Sequence, residues 1–137
     1  MPLVLQLMPG EFAVARLAPS APIPEWAHAA AFSSITRTAD ELSIICPAAQ
    51  VPAEVKQERG WAMLGFQGPF GFTLTGVLSS VLAPLAAAKI GVLAVSTFDT
   101  DYLMVKQADL ETAITALRAA GHTCAVELAR GPLPPPT

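Results

Sequence analysis

Between Val77 and Leu128 the spacing of apolar residues switches repeatedly between helix and strand periods, and the order of those switches constrains the fold more than any other feature. Val77, Leu78, Val81, Leu82, Leu85 and Ile90 follow the i, i+3, i+4 pattern of a helix with one buried face. Pro84 falls inside that helix, where it removes one backbone donor and should bend the axis. Gly91 is expected to end it. Val92 to Thr97 and Asp101 to Lys106 then read as strands. The stretch "ADLETAITALRAAG" predicts a second helix, with Asp109 as N-cap, Leu110, Ala113, Ile114 and Leu117 as its apolar stripe, and Gly121 as its stop. His122 to Leu128 reads as a last strand.

Gly60 to Phe66 is a further strand, followed by the loop "QGPFGFTLTG". Residues 60–128 therefore run β-α-β-β-α-β. That order builds a four-stranded antiparallel sheet with both helices on one face, the ferredoxin-like arrangement. The first half repeats it in degraded form. Glu11 to Leu17 reads as a strand, Ala18 to Pro24 as a Pro-rich turn and Glu25 to Ala30 as one helical turn. Phe32 to Thr38 and Glu41 to Cys46 form a hairpin across "TADE", where Asp40 tolerates turn geometry, and Pro47 to Glu58 is weakly helical. The predicted class is α+β, two tandem ferredoxin-like units with antiparallel sheets. The expected division is 1–59, 60–128 and a disordered proline-rich tail at 129–137. Residues 1–7 add an apolar strand that could complete a sheet edge in either half or in a partner chain.

Composition narrows the function. Of the 137 residues 53% are hydrophobic and 14% charged, too apolar for a disordered chain and suggestive of an oligomer. The net charge is −3, without a Lys or Arg cluster, which argues against nucleic acid. The stretch "GVLSSVLAPLAAAKIGVLAVS" is about as long as a membrane span, on the order of 20 residues. It holds Lys89, Pro84 and Gly91 and ends in β-branched residues, so a buried helix followed by a buried strand explains it better. The N-terminus lacks the basic segment of a signal peptide. Cys46 and Cys124 have neither disulfide nor metal spacing and suit buried thiols in a reducing cytoplasm. The expected location is cytoplasmic, with no membrane.

The stretch "STFDTDYLMV" sets Asp99 and Asp101 two residues apart between two apolar runs. Turn chemistry accounts for Asp99 readily, because Asp bonds nearby backbone N–H groups. A metal would need a third acidic ligand nearby, and a carboxylate-pair hydrolase would need opposed acids across a cleft. The loop Gly68 to Gly76 runs straight into a helix. Glycines there let the backbone approach a ligand or simply turn the chain. The unpaired first N–H groups of a helix hold a carboxylate well, and Thr73 and Thr75 could cap the helix or add hydroxyl donors. Arg37 and Asp40 at the first hairpin offer a carboxylate partner or a solvated turn. His28 and His122 are far apart in sequence, lack acid or thiol neighbours at a useful spacing and read as structural. Trp26 and Trp61 read as core or interface anchors. No nucleophile–base pair, metal set or phosphate motif stands out, so the chain is read as neither an enzyme nor a cofactor binder.

Three motifs in order, "GPFGFTLTGVLSSVLAPLAAAKIGV", "AVSTFDTDYLMV" and "DLETAITALRAAGH", resemble the ACT domain, a small-molecule-sensing regulatory module. "SITRTADELSIICP" with "ERGWAMLGFQGP" looks like the companion half of bacterial two-ACT proteins, related to aspartate kinase regulatory domains and to the CASTOR arginine sensors of animals. The resemblance implies a homodimer that binds an amino acid where two ACT domains meet. One wall would be the loop, Gly71, Phe72, Thr73, Leu74, Thr75, Gly76 and Val77. The other would be the strand end, Thr97, Phe98, Asp99, Thr100 and Asp101. Asp101 matches a ligand-contacting aspartate of the arginine sensors. Leu74 stands where those sensors carry an acidic residue, which disfavours arginine. The function so implied is regulatory and non-catalytic, with an unidentified protein as its target. The alternative is a dimerisation module without a ligand.

Overall fold

A computed structural model describes residues 2–28, 31–68 and 75–126. They fall into two compact units. One comprises residues 10–61, and the other joins residues 2–9 to the described part of 62–126. The N-terminal strand groups with the second of these units.

In the first unit, β2 (Phe12–Leu17) pairs antiparallel with β4 (Leu42–Pro47), and β4 pairs with β3 (Ser34–Arg37). On its other side β2 meets the first part of β5 (Lys56–Phe66). The strand order β3-β4-β2-β5 is that of a ferredoxin-like sheet, yet its two helices are single 3₁₀ turns, Glu25–Ala27 and Ala48–Gln50. The region 47–58, expected to be weakly helical, is instead one short turn followed by the start of an 11-residue strand. The polar run Lys56 to Arg59 hides that strand from periodicity, because it forms the solvent-facing margin of a sheet.

The pairing of β2 with β5 shifts by one residue between Phe12↔Trp61 and Val14↔Glu58, a β-bulge. Gly60 sits in it at φ +83°, a backbone state that side chains disfavour. Its N–H donates to the Glu11 carboxylate at 2.7 Å. Arg59 donates to the Ala48 carbonyl at 3.0 Å and to the Gln57 amide oxygen at 2.6 Å. At the β3–β4 turn the Thr38 hydroxyl accepts the N–H groups of Asp40 and Glu41. Arg37 donates to the Pro19 and Ala21 carbonyls, so it fastens the Pro-rich turn rather than offering a ligand site.

The second unit has the strand order β6-β7-β5-β1-β8, with β6 (Val92–Ser96), β7 (Asp101–Lys106), β1 (Val4–Leu7) and β8 (Thr123–Ala125). A four-stranded βαββαβ sheet would set β8 directly beside β5. Here β1 lies between them, antiparallel to β5 and parallel to β8. The strand thus fills an interior position and not the edge expected for it. Helix α1 (Val77–Ala87) and helix α2 (Leu110–Ala119) pack on each other. Val81, Leu85, Ile114 and Leu117 share one apolar core with Leu5, Leu64, Phe66, Leu103 and Val105. The alternation Leu64/Phe66 and Leu103/Val105 puts these strand residues on one face of the sheet.

Both helices end in the same way. In α2 the Gly121 N–H donates to the Arg118 carbonyl and the His122 N–H to the Leu117 carbonyl. In α1 the Lys89 N–H donates to the Ala86 carbonyl and the Ile90 N–H to the Leu85 carbonyl. These are Schellman ends, which place the residue after the cap in the left-handed region. Gly121 takes it at φ +98° and Lys89 at φ +61°. The stop of α1 is thus Lys89, not Gly91, and the Ile90–Leu85 contact seals it with two buried side chains. At the start of α2, Asp109 holds the N-cap position but makes no capping bond. A 3₁₀ turn at Gln107–Asp109 leads into the helix there and keeps Asp109 in helical geometry.

His122 resolves the effect of Pro84. Without an N–H at position 84, the Ser80 carbonyl lacks its usual helical donor. His122 Nε2 lies 2.9 Å from that carbonyl oxygen, while its Nδ1 accepts the Leu3 N–H at 3.1 Å. The two bonds specify the tautomer with the proton on Nε2. The ring, 5% exposed, therefore ties the N-terminal segment to the proline-containing helix, the structural role the sequence suggests for it.

Candidate functional site

The β6–β7 hairpin holds the strand-end wall of the sequence-predicted site. Ser96 pairs with Asp101 across it, and Phe98 and Asp99 form the tip. The Thr97 N–H donates to the Thr100 carbonyl at 2.8 Å, and the Thr97 hydroxyl donates to the same oxygen at 3.0 Å. The Thr100 N–H reaches the Thr97 hydroxyl oxygen at 3.3 Å. The Ser96 hydroxyl donates to Asp101 Oδ1 at 2.6 Å. Asp101 is thereby oriented, and its carboxylate keeps further acceptor capacity. Asp99 lies exposed in the turn, as turn chemistry alone would have it, and Phe98 is 78% exposed.

The hairpin tip is fastened to the chain leaving β5. The Thr100 hydroxyl donates to the Phe66 carbonyl at 2.7 Å, and Gly68 lies against Asp99 and Thr100. Thr100 is a wall residue in the sequence reading, which carries no signal for this attachment.

On the loop side, Gly71, Phe72, Thr73 and Leu74 lie outside the described residues. Thr75 and Gly76 are exposed and Val77 is buried. Gly76 occupies the N-cap of α1 at φ +80°, and among the described residues no side chain caps the helix. Thr75 therefore does not perform the capping role open to it. The first N–H groups of α1 retain the donor capacity and the positive end of the helix dipole that suit an anion. Among the described residues no group of three or more His, Cys, Asp or Glu side chains is placed to hold a metal. No helix among them is long and apolar enough to cross a membrane. Burial raises the Cys46 thiol pKa, and it raises that of Cys124 against a smaller opposing effect of Arg118.

Comparison with known proteins bears on the second half most directly, where residues 56–119 match the family model described as ACT domain. Residues 56–119 belong to the ACT domain family. A second family model, described as an N-terminal domain, matches residues 10–54. The chain is 43% identical to a protein of known crystal structure from Agrobacterium tumefaciens. That match covers 96% of this chain and 98% of the other, at a TM-score of 0.89. Over 97 residues the chain is 31% identical to subunit 1 of the cytosolic arginine sensor for mTORC1 of Bos taurus, covering 63% of this chain and 30% of that protein. It thus spans under a third of that relative's length. The regulatory subunit of aspartate kinase from Thermus flavus shares the fold at 11% identity and a TM-score of 0.57, with 88% of this chain and 97% of that one covered.

Proposed function

We propose that this ACT domain protein is a non-catalytic regulatory module that binds a free amino acid between the second halves of two identical chains. The observation that carries the reading is the attachment of the 97–101 hairpin to the chain leaving β5, which brings the strand end next to the start of the glycine-rich loop. An amino acid is two-ended. Its carboxylate suits the uncapped N-terminus of α1 at Gly76, with Gly71, Phe72, Thr73 and Thr75 completing that wall. Its ammonium suits acceptors, the Asp101 carboxylate and the carbonyls around Thr97. The arginine-sensor relative and the aspartate kinase regulatory fold support this ligand class.

Leu74 favours a small or apolar side chain over arginine, because it cannot pair a guanidinium. Ligand binding would favour one dimer arrangement and so alter contacts with a regulated protein, which requires different ligand affinities in the two states. The reading places the protein in the cytoplasm without a cofactor. A thermal-shift screen of free L-amino acids tests it. A ligand at a hundredfold excess over its Kd adds roughly 2.7 kcal/mol of stability, so a selective rise in Tm is expected. Leu74→Glu should weaken an apolar ligand. No rise with any amino acid would overturn the reading and leave a dimerisation module.

A further inference from the structure

Gly68 precedes the loop residues assigned to the ligand, and its backbone is not among the positive-φ glycines, so conformation alone does not demand glycine there. Space does. A Cβ built on Gly68 would lie 3.0 Å from the Asp99 carbonyl oxygen and 3.1 Å from both Cβ and Oγ1 of Thr100. Carbon–oxygen contacts this short are repulsive, so one side must move. The hairpin tip cannot yield internally, because three hydrogen bonds between Thr97 and Thr100 close it. The added atom would therefore shift the tip by a few tenths of an ångström from the chain leaving β5 and strain the bond from Thr100 to the Phe66 carbonyl.

We propose that Gly68 is a positioning residue for the amino-acid site: its missing side chain lets the strand-end wall seat against the root of the loop, and the Thr100 hydroxyl fastens it there. The inference rests on the amino-acid-binding reading above. It gives Gly68 a role distinct from ligand contact: it sets how closely the strand end approaches the chain leaving β5.

The test is titration calorimetry with the free L-amino acids as probes, one at a time, on wild type, Gly68→Ala and Thr100→Val. Each protein is measured well below its own Tm, so that a loss of stability alone leaves Kd unchanged. Gly68→Ala should weaken binding by at least about tenfold, the scale of one lost charge-assisted hydrogen bond. Thr100→Val should weaken it less. Wild-type binding with unchanged affinity in Gly68→Ala overturns this proposal alone. Failure of the wild type to bind any amino acid overturns the functional reading and this proposal together. Should Gly68→Ala not fold, Thr100→Val decides, and wild-type affinity there overturns the proposal.

Discussion

The two halves of the chain run the same order of elements but build their cores differently. In residues 62–126 two full helices cover one sheet face, and the core holds bulky side chains such as Phe66, Leu64, Leu85, Leu103 and Leu117. In residues 10–61 the helices shrink to single turns. The core there is small, with Ala13, Ala15, Ala27 and Ala48 among Leu42, Ile44 and Cys46. A sheet covered by short turns leaves room only for small residues, whereas a helix of 10 or 11 residues presents a stripe that large side chains must fill. One topology thus tolerates two core volumes, provided that side chains and covering elements shrink together.

Core substitutions should break this contrast most severely. Leu85→Ala leaves a cavity under α1 and should cost about 2–5 kcal/mol. Ala15→Leu overfills the small core and should cost about 1–3 kcal/mol. Urea denaturation measures both. A tolerated Ala15→Leu would mean that the first half is not close-packed.

The next effect separates the two histidines. His122→Phe leaves the Leu3 N–H and the Ser80 carbonyl unpaired in the interior, at roughly 1–3 kcal/mol for each lost partner. His28, exposed beside the first 3₁₀ turn, should tolerate the same change within about 0.5 kcal/mol. Adding Pro84→Ala to His122→Phe returns a backbone donor toward Ser80 and should recover part of the loss. Equal losses at the two histidines would refute the role assigned to His122.

A smaller effect distinguishes the two helix ends. Lys89→Gly should stabilise by about 1 kcal/mol, since it relieves a left-handed side-chain-bearing residue, and Gly121→Ala should destabilise by about as much. Thermal unfolding of the pair reads both signs. The smallest effect is shared by the halves, with one buried thiol in each. Burial holds Cys46 and Cys124 above the ordinary thiol value of 9.0. Above that pH the unfolded chain releases protons that the folded chain keeps, so stability should fall as pH rises through this range. Cys→Ala variants should show a flatter pH profile.

The second half was legible in the sequence because its helices carry strong 3.6-residue periodicity, and the match to residues 56–119 rests on the same segment. Less visible features depended on distant partners. The strand Val4–Leu7 reads as an edge, and only its pairing with both β5 and β8 places it inside the sheet. Lys56 to Arg59 is too polar to announce a strand. Lys89 replaces the glycine that usually marks a Schellman end. The consequence of Pro84 appears only once His122, 38 positions later in the sequence, turns its ring to Ser80. In the site, Asp99 and Asp101 were recognisable as a turn and a strand start. The hold of Thr100 on Phe66 and the crowding at Gly68 arise from tertiary contact and have no local signature.

The central claim is tested most directly by calorimetric titration of wild type and Asp101→Ala with each free L-amino acid. The account expects saturable binding of one selective amino acid, one molecule per chain, in the wild type and its loss in Asp101→Ala with the fold retained. Absence of saturable binding by any amino acid, or undiminished affinity in Asp101→Ala, would contradict it.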